Sequence, residues 1–170
     1  GGIENLVNLQ TLDLAHNAIV DVTLIDRLHR LRVLDLGYNQ ISQVPFSRLR
    51  VTLESLNLHK NRISNIEWLR VMRHLRHLSL SHNDLTDIEP IGELIQLTSL
   101  DLASNQISSI EPLKRIRELH IVDLTDNQVS DLTPIAHHKF LISLSARNNE
   151  IVDISTLTDL SGLEQLDLAK

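Results

Sequence analysis

Leu97–Leu113 reads LTSLDLASNQISSIEPL and belongs to a unit that repeats every 22 residues along this 170-residue chain. The copies follow one another without insertion or deletion, and each has one asparagine at the same place: Asn17, Asn39, Asn61, Asn83, Asn105, Asn127 and Asn149. Seven apolar positions surround each asparagine, and 46 of these 49 positions are apolar. Because so short a unit cannot bury its own apolar face, the repeat predicts stacked coils that share one core.

Two spacings of apolar residues alternate within each unit. Leu100 and Leu102 are two residues apart, which is the spacing of one face of a β-strand. After the asparagine, Ile107, Ile110 and Leu113 follow at every third position, which is the period of a 3₁₀ helix rather than an α-helix. The unit therefore predicts a parallel sheet along one side of the stack and 3₁₀ turns on the opposite side.

The repeated asparagine has a structural explanation. The chain must turn sharply after each strand, which leaves backbone N–H and C=O groups buried without a partner in the sheet. A carboxamide can both donate and accept hydrogen bonds, whereas a carboxylate cannot donate and a leucine side chain can do neither. We therefore expect the asparagines to form a structural ladder within and between coils, not a ligand site.

Two units depart from the pattern. In the second unit, Phe46 and Leu49 stand one position early, and Ser47 and Arg50 occupy positions that are apolar elsewhere. Since the unit keeps its length, this change predicts a locally shifted turn. In the sixth unit His138 occupies an apolar position. A metal ligand is one interpretation of this histidine, but we favour a side chain that is tucked into the coil.

The composition excludes several classes of protein. The absence of cysteine excludes disulfide scaffolds, Cys-ligated metal sites and thiol nucleophiles. No apolar run approaches the roughly 18 to 20 residues that cross a bilayer, and a formal net charge of −6 disfavours nucleic acid as a partner. No nucleophile elbow, phosphate loop or zinc-protease motif is present. We therefore expect a chain that is not an enzyme and has no catalytic residue, cofactor or metal.

The phrase Leu-x-x-Leu-x-Leu-x-x-Asn-x-Ile-x-x-Ile-x-x-Leu resembles the leucine-rich repeats over essentially the whole chain. The 22-residue length is similar to the short class shared by a nuclear regulatory subunit of type-one protein phosphatase and the bacterial internalins. The resemblance implies an α/β solenoid, a horseshoe with a parallel β-sheet on its concave face and 3₁₀ turns on its convex face. It also implies a non-catalytic module that binds another protein with the concave face.

The resemblance leaves the biological setting open. It implies a phosphatase-regulatory or cytoskeletal scaffold inside a cell, in the cytoplasm or nucleus. The alternatives are an internalin-like adhesion module on a bacterial cell surface and a structural spacer that binds nothing on this face. Flanking sequence would separate these settings.

The repeats predict a single array over residues 1–170, with about seven full units and partial units at both ends. Ile3 and Leu6 match the tail of a preceding unit, and Leu163, Leu166 and Leu168 begin an eighth. No polar capping unit covers either end, although solenoids need such caps for solubility. We expect this chain to be a piece of a longer protein, either monomeric or associating through its uncapped ends.

The residues that alternate with the inward leucines should point outward onto the concave sheet. In each unit one residue lies between the two inward leucines, and these residues form a column across the neighbouring strands. The column is acidic toward both ends, where Asp13 neighbours Asp35 and Asp101 neighbours Asp123 on strands about 4.8 Å apart. Like charges in such positions destabilise a sheet. The columns are therefore a candidate docking surface for a basic patch on a partner protein, and the alternative is a hydrated surface without a partner.

The centre of the concave face is basic. His59, Lys60 and His82 should lie close together, with Tyr38 beside them and His77 further back on the fourth strand. Two neighbouring histidines suggest a metal site, but no third ligand is evident and Lys60 would repel the ion. We therefore interpret these residues as contacts for a partner protein.

An apolar patch is predicted in the sixth and seventh units. Ile121 and Ile142 occupy outward strand positions, and Phe140 lies just before its strand. Exposed clusters of large apolar side chains mark interaction sites, and the alternative is that Phe140 folds back over the edge of the coil. The candidate partner-binding residues are Asp13, Asp35, Tyr38, His59, Lys60, His77, His82, Asp101, Ile121, Asp123 and Ile142.

Overall fold

The computed structural model describes residues 2–170 and contains one sheet of eight parallel strands, in the order β1 to β8. Each strand pairs with the next in a register of 22 residues, so that Leu12 lies beside Leu34 and Leu78 beside Leu100. The strands are β1 (Thr11–Asp13), β2 (Val33–Asp35), β3 (Ser55–Asn57), β4 (His77–Ser79), β5 (Ser99–Asp101), β6 (Ile121–Asp123), β7 (Ser143–Ser145) and β8 (Gln165–Asp167).

Short 3₁₀ helices lie opposite the strands. They are η1 (Ile3–Asn5), η2 (Thr23–Arg27), η3 (Leu49–Val51), η4 (Glu67–Val71), η5 (Glu89–Glu93), η6 (Glu111–Arg115), η7 (Thr133–Ile135) and η8 (Ser155–Asp159). Pro90, Pro112 and Pro134 stand in the first turn of their helices, where a missing N–H costs no hydrogen bond. Within residues 2–170 no helix has the length and apolar character needed to span a membrane. The architecture confirms the expected solenoid.

One continuous apolar core runs through the stack. It extends from Val22 to Leu160, and the central strand leucines such as Leu56 and Leu100 are at most 1% exposed. The corresponding Leu12 in β1 is only half-buried because a single neighbouring coil packs beside it. Each unit thus buries its apolar residues against the next unit, as expected for a chain of short repeats.

The asparagine ladder is formed as predicted. Nδ2 of Asn83 donates to the carbonyl oxygens of Leu80 and Ser81 at 3.0 and 3.2 Å, and to that of Leu58 in the preceding coil at 3.0 Å. Its Oδ1 accepts the N–H of Ile63 at 2.9 Å. The same four contacts recur at Asn39, Asn61, Asn105, Asn127 and Asn149.

The turn of the second unit is shifted, as its sequence predicts. Phe46 and Leu49 are buried, whereas the polar residues at the regular core positions are exposed. A buried carboxylate from the preceding unit holds this turn in place. Asp26 accepts the N–H groups of Ser47 and Arg48 at 2.8 Å each, and the hydroxyl of Ser47 at 2.8 Å.

His138 is buried and bridges two coils, which confirms its expected position inside the coil. Its Nδ1 lies 3.1 Å from the carbonyl oxygen of Ile135, and its Nε2 lies 3.1 Å from that of Leu113 in the preceding coil. The ring therefore fills an apolar position while its nitrogens contact backbone carbonyls of two coils, so its polar atoms are not left buried without partners.

Candidate functional site

The acidic column on the concave face has a folding role in addition to its charge. Asp13 pairs in register with Asp35, and Asp101 with Asp123, as the repeat predicts. In each of these residues Oδ1 accepts the backbone N–H two positions later, at 2.8–3.1 Å. The carboxylates therefore close the turn that follows each strand. This role, which was not predicted from the sequence, explains why the fold tolerates neighbouring like charges.

Hydrogen bonds between side chains tie the floor of the concave face together across β2–β5. Nδ2 of Asn57 donates to both carboxylate oxygens of Asp35, at 3.1 and 3.0 Å. On the next coils, Nδ1 of His59 lies 2.7 Å from the hydroxyl of Ser81, which is buried and donates to Oδ2 of Asp101. Connected polar groups of this kind hold one another in fixed orientations, so the centre of the face is preorganised.

Above this floor the aromatic side chains contact one another in a row. The ring of Tyr38 stacks on that of His16, with centroids 4.0 Å apart, and meets His59 edge to face at 4.9 Å. His59 in turn meets His82 at 5.0 Å, and Nζ of Lys60 lies 4.8 Å from the Tyr38 centroid. These are favourable geometries for aromatic and cation–π contacts. We call these five residues the histidine–tyrosine cluster.

Four members of the histidine–tyrosine cluster share an unusual backbone conformation. His16, Tyr38, Lys60 and His82 have φ between 51° and 56°, in the left-handed region, and all four side chains are exposed. A non-glycine residue in this region costs of order 1 kcal/mol. His16 was not among the predicted site residues, although it occupies the same position of the repeat as the other three.

The surroundings of His59 within the histidine–tyrosine cluster shift the pKa of its ring. Burial lowers the pKa of His59, and the neighbouring His82 and Lys60 lower it further, whereas Asp101 and Asp35 act in the opposite direction. These contacts therefore favour the uncharged form of the His59 ring. The ammonium group of Lys60 lies over the ring of Tyr38.

The predicted residues His77, Ile121 and Ile142 lie apart from the histidine–tyrosine cluster, at the beginnings of their strands. His77 and Ile121 line one shallow groove together with His120. Ile121, Phe140 and Ile142 are 50%, 55% and 40% exposed, and the Phe140 ring stacks on His120 with centroids 6.1 Å apart. The apolar side chains of the sixth and seventh units are thus at the surface. The predicted site residues form two regions of the concave face, not one.

Comparison with protein families places the repeats in a known group. The family model described as leucine-rich repeats (two copies) matches residues 7–48, 51–93, 73–115 and 95–137. No curated protein sequence matched the chain. Leucine-rich repeat proteins, the internalins among them, are typically non-catalytic modules for protein interaction.

Solved structures of bacterial proteins superpose closely on this chain. An internalin (InlF) from Listeria monocytogenes is 37% identical, with a TM-score of 0.94, over 98% of this chain and 49% of its own. Internalin C2 from the same organism is 25% identical, with a TM-score of 0.77, over 97% and 83%.

A leucine-rich repeat protein from Leptospira interrogans is 27% identical, with a TM-score of 0.89, over 97% of this chain and 44% of its own. The chain therefore spans about half the length of InlF and less than half of the Leptospira protein. The repeated family match and the eight-stranded parallel sheet agree: this chain belongs to the leucine-rich repeat family.

Proposed function

We propose that this chain is a non-catalytic interaction module that docks a partner protein on its concave face, with Tyr38 at the centre of the contact. One observation carries the proposal: Tyr38 is 40% exposed, yet it is held between the ring of His16 and the ammonium group of Lys60. Aromatic residues that are rigid before binding are typical energetic centres of interfaces, because little side-chain entropy is lost when they are covered.

The charges around Tyr38 indicate the chemistry of the partner. Asp13 and Asp35 lie at one end of the sheet, and Asp101 and Asp123 lie beyond the histidine–tyrosine cluster on the other side. A partner that places basic side chains against both acidic pairs would complement this face and associate faster at low salt. His59, Lys60 and His82 would contact the same partner at the centre.

The apolar residues at the beginnings of the strands would form a second contact with the same partner. Ile121 and Ile142 are exposed on β6 and immediately before β7, and His77 shares a groove with Ile121. A partner that covers both the histidine–tyrosine cluster and this region would bury aromatic and aliphatic side chains within a polar rim, which is the usual organisation of a protein interface.

The similarity to InlF over 98% of the chain favours one of the settings that the sequence leaves open. An internalin-like adhesion module fits this similarity better than a phosphatase-regulatory or cytoskeletal scaffold. We therefore propose that the partner is a protein on the surface of another cell. A structural spacer is the competing function, and it requires no contact on the concave face.

Site-specific photo-crosslinking tests the proposal. A photoreactive phenylalanine analogue replaces Tyr38 on the concave face or, as a matched control, Trp68 on η4. Each protein is incubated with intact cells from several sources. We expect one discrete crosslinked protein from position 38 and none from position 68. The purified partner should then bind the Tyr38→Ala variant at least about tenfold more weakly than the parent. Identical crosslinking from both positions, or none from position 38, would favour the spacer.

A further inference from the structure

Basic residues are concentrated along one edge of the solenoid, where the chain returns from the convex face to the sheet. The seven residues that precede each strand contain 12 of the 16 lysine and arginine residues, but only 7 of the 22 acidic residues. The rest of the chain carries the remaining 4 basic and 15 acidic residues. We call the edge formed by these seven-residue segments the basic edge. Its charge is opposite in sign to the formal net charge of the protein, which is −6.

Much of this positive charge is not neutralised within the protein. Five of its cations form ion pairs: Arg32 with Glu54, Arg70 with Glu67, Lys114 with Glu111, and Arg73 and Arg115 with Glu93. Other cations on the basic edge are exposed and form no ion pair within residues 2–170, so that they are free to contact an external anion. These include Arg27, Arg50, Arg76, Arg117 and Lys139.

A cleft between the third and fourth coils shows where an anionic group would bind. Arg32, His74 and Arg76 line it together with Thr52 and Glu54. The carboxylate of Glu54 is paired with Arg32, so it leaves Arg76 unopposed. The hydroxyl of Thr52 is buried and has no hydrogen-bond partner among the described residues. A buried hydroxyl without a partner costs free energy.

A second cleft lies on the same edge, toward the other end of the array. It is lined by Arg117, His137, Lys139 and Phe140, and Glu118 is its single acidic residue. The exposed ring of Phe140 forms one wall and stacks on a histidine of the neighbouring coil. This cleft therefore offers two unpaired cations beside an apolar surface.

Exposed aliphatic side chains lie between the cations. Val51, Val71 and Ile95 are 61%, 44% and 58% exposed, and each belongs to a segment of the basic edge. A nucleic acid would leave these side chains without apolar contacts, and single strands are bound mainly by aromatic rings, of which this edge exposes only Phe140 besides histidines. A sulfated polysaccharide also lacks apolar groups. A protein segment can supply both carboxylates and aliphatic side chains.

We propose that the basic edge is a second interaction surface, which binds an extended protein segment that carries both glutamate or aspartate and aliphatic residues. Neighbouring coils are about 4.8 Å apart at the sheet, and an extended chain advances about 3.3 Å per residue. A segment of roughly eight residues therefore reaches from Arg32, before β2, to Lys139, before β7. This surface is separate from the histidine–tyrosine cluster, and the proposal does not depend on the contact proposed at Tyr38. Its segment before β7 contains Phe140 and Ile142, so there it borders the apolar region at the beginnings of the strands.

Fluorescence anisotropy with defined probes tests the proposal. The main probe is a labelled peptide of four Glu-Glu-Leu triplets, and the matched probe replaces each leucine by serine and so keeps the charge. A single-stranded DNA oligonucleotide and a heparin oligosaccharide are the competing polyanions. We expect the leucine peptide to bind at least about tenfold more tightly than the other three probes. Equal binding of the two peptides, or tighter binding of DNA or heparin, would overturn the proposal.

Two double variants locate the binding surface. Arg76→Glu with Arg117→Glu reverses two unpaired cations of the basic edge and should weaken binding of the leucine peptide at least about tenfold. Arg62→Glu with Arg147→Glu makes the same change in net charge outside this edge and should weaken binding by less than about threefold. An equal loss in both variants would show that only net charge matters. Tyr38→Ala should leave peptide binding unchanged, which separates this test from that of the concave face.

Discussion

Tyr38 and His16 stack face to face, with ring centroids 4.0 Å apart and ring planes 18° from parallel. The two residues are 22 positions apart, so they hold the same place in consecutive coils, and both have a left-handed backbone. The repeat thus sets one exposed ring directly on another. A glycine at either position would relieve the strained backbone but would remove the contact. The stacked pair is therefore a surface feature that the fold tolerates at a cost in stability.

The free-energy cost of the left-handed backbone can be measured at Ser104, whose φ is 53°. The side chain of Ser104 makes a single hydrogen bond, in which its hydroxyl donates to Oδ2 of Asp126 at 3.3 Å. Ser104→Gly should leave the free energy of unfolding unchanged or raise it slightly, because glycine adopts this conformation readily. Ser104→Val should lower it by about 1–2 kcal/mol, because a β-branched residue is strained there. Urea denaturation of both variants checks the prediction.

Ser108 provides the matched control in the same unit, because it is exposed and does not have a positive φ. At this position the order should reverse, so that Ser108→Gly is the less stable variant and Ser108→Val is close to the parent. The same ranking at both positions would mean that left-handed strain does not determine the stability of this turn.

The structural role of the asparagine ladder predicts a larger effect in its middle than at its first position. Asn83 makes four hydrogen bonds in a buried position, including two to the preceding coil. Asn83→Ala should lower the free energy of unfolding by about 1–3 kcal/mol, because buried backbone groups lose their partners. Asn17 is exposed and bonds only within its own coil, so Asn17→Ala should cost clearly less. Equal losses in chemical denaturation would contradict a ladder that works between coils.

The fold was predictable from the sequence because each coil obeys the same local rule. The spacing of Leu100 and Leu102 indicates a strand, the three-residue spacing after Asn105 indicates a 3₁₀ turn, and the fixed length of 22 residues sets the register of the whole sheet. Even the shifted turn of the second unit was visible in the early placement of Phe46 and Leu49.

Contacts that break the rule were not predictable. Asp26 holds the shifted turn by accepting hydrogen bonds from Ser47, Arg48 and Leu49. The equivalent positions of the following units hold no carboxylate; they are Arg48, Arg70, Gly92, Lys114, Ala136 and Thr158. The turn-closing role of Asp13 and Asp123 also escaped prediction, because an outward acidic residue on a strand looks like surface charge. The position of His16 beside Tyr38 was visible in the repeat, but its stacking depends on side-chain torsions that the repeat does not encode.

The lowered pKa of His59 makes the stability of the folded protein depend on pH in a definite direction. Because burial lowers this pKa below its usual value of about 6.5, the unfolded chain binds the proton more readily than the folded chain. The stabilising contribution is therefore present above pH 6.5 and is lost as the pH falls toward the folded pKa. The melting temperature of His59→Gln should fall less than that of the parent between about pH 7.5 and 5.5.

An exposed histidine supplies the control for this measurement. His29→Gln removes an exposed imidazole ring outside the histidine–tyrosine cluster, and it should leave the difference between the two melting temperatures close to that of the parent. If His59→Gln and His29→Gln change the pH dependence equally, burial of His59 is not its cause.

Asp123 allows the folding role and the charge of the acidic column to be separated. Its Oδ1 accepts the N–H of Thr125 at 2.8 Å, and its carboxylate stands beside that of Asp101 in the sheet. Asn retains the acceptor and removes the charge, so Asp123→Asn should keep or slightly raise the melting temperature at low salt. Asp123→Ala removes both and should lower it, because the turn N–H loses its partner. High salt should shrink the gain in melting temperature from Asp123→Asn but not the loss from Asp123→Ala.

Asp84→Asn, which removes an exposed charge that closes no turn, should have little effect at either salt concentration. A loss in Asp123→Asn equal to that in Asp123→Ala would mean that the carboxylate charge itself stabilises the turn, and the column could then not be regarded as charge kept available for a partner.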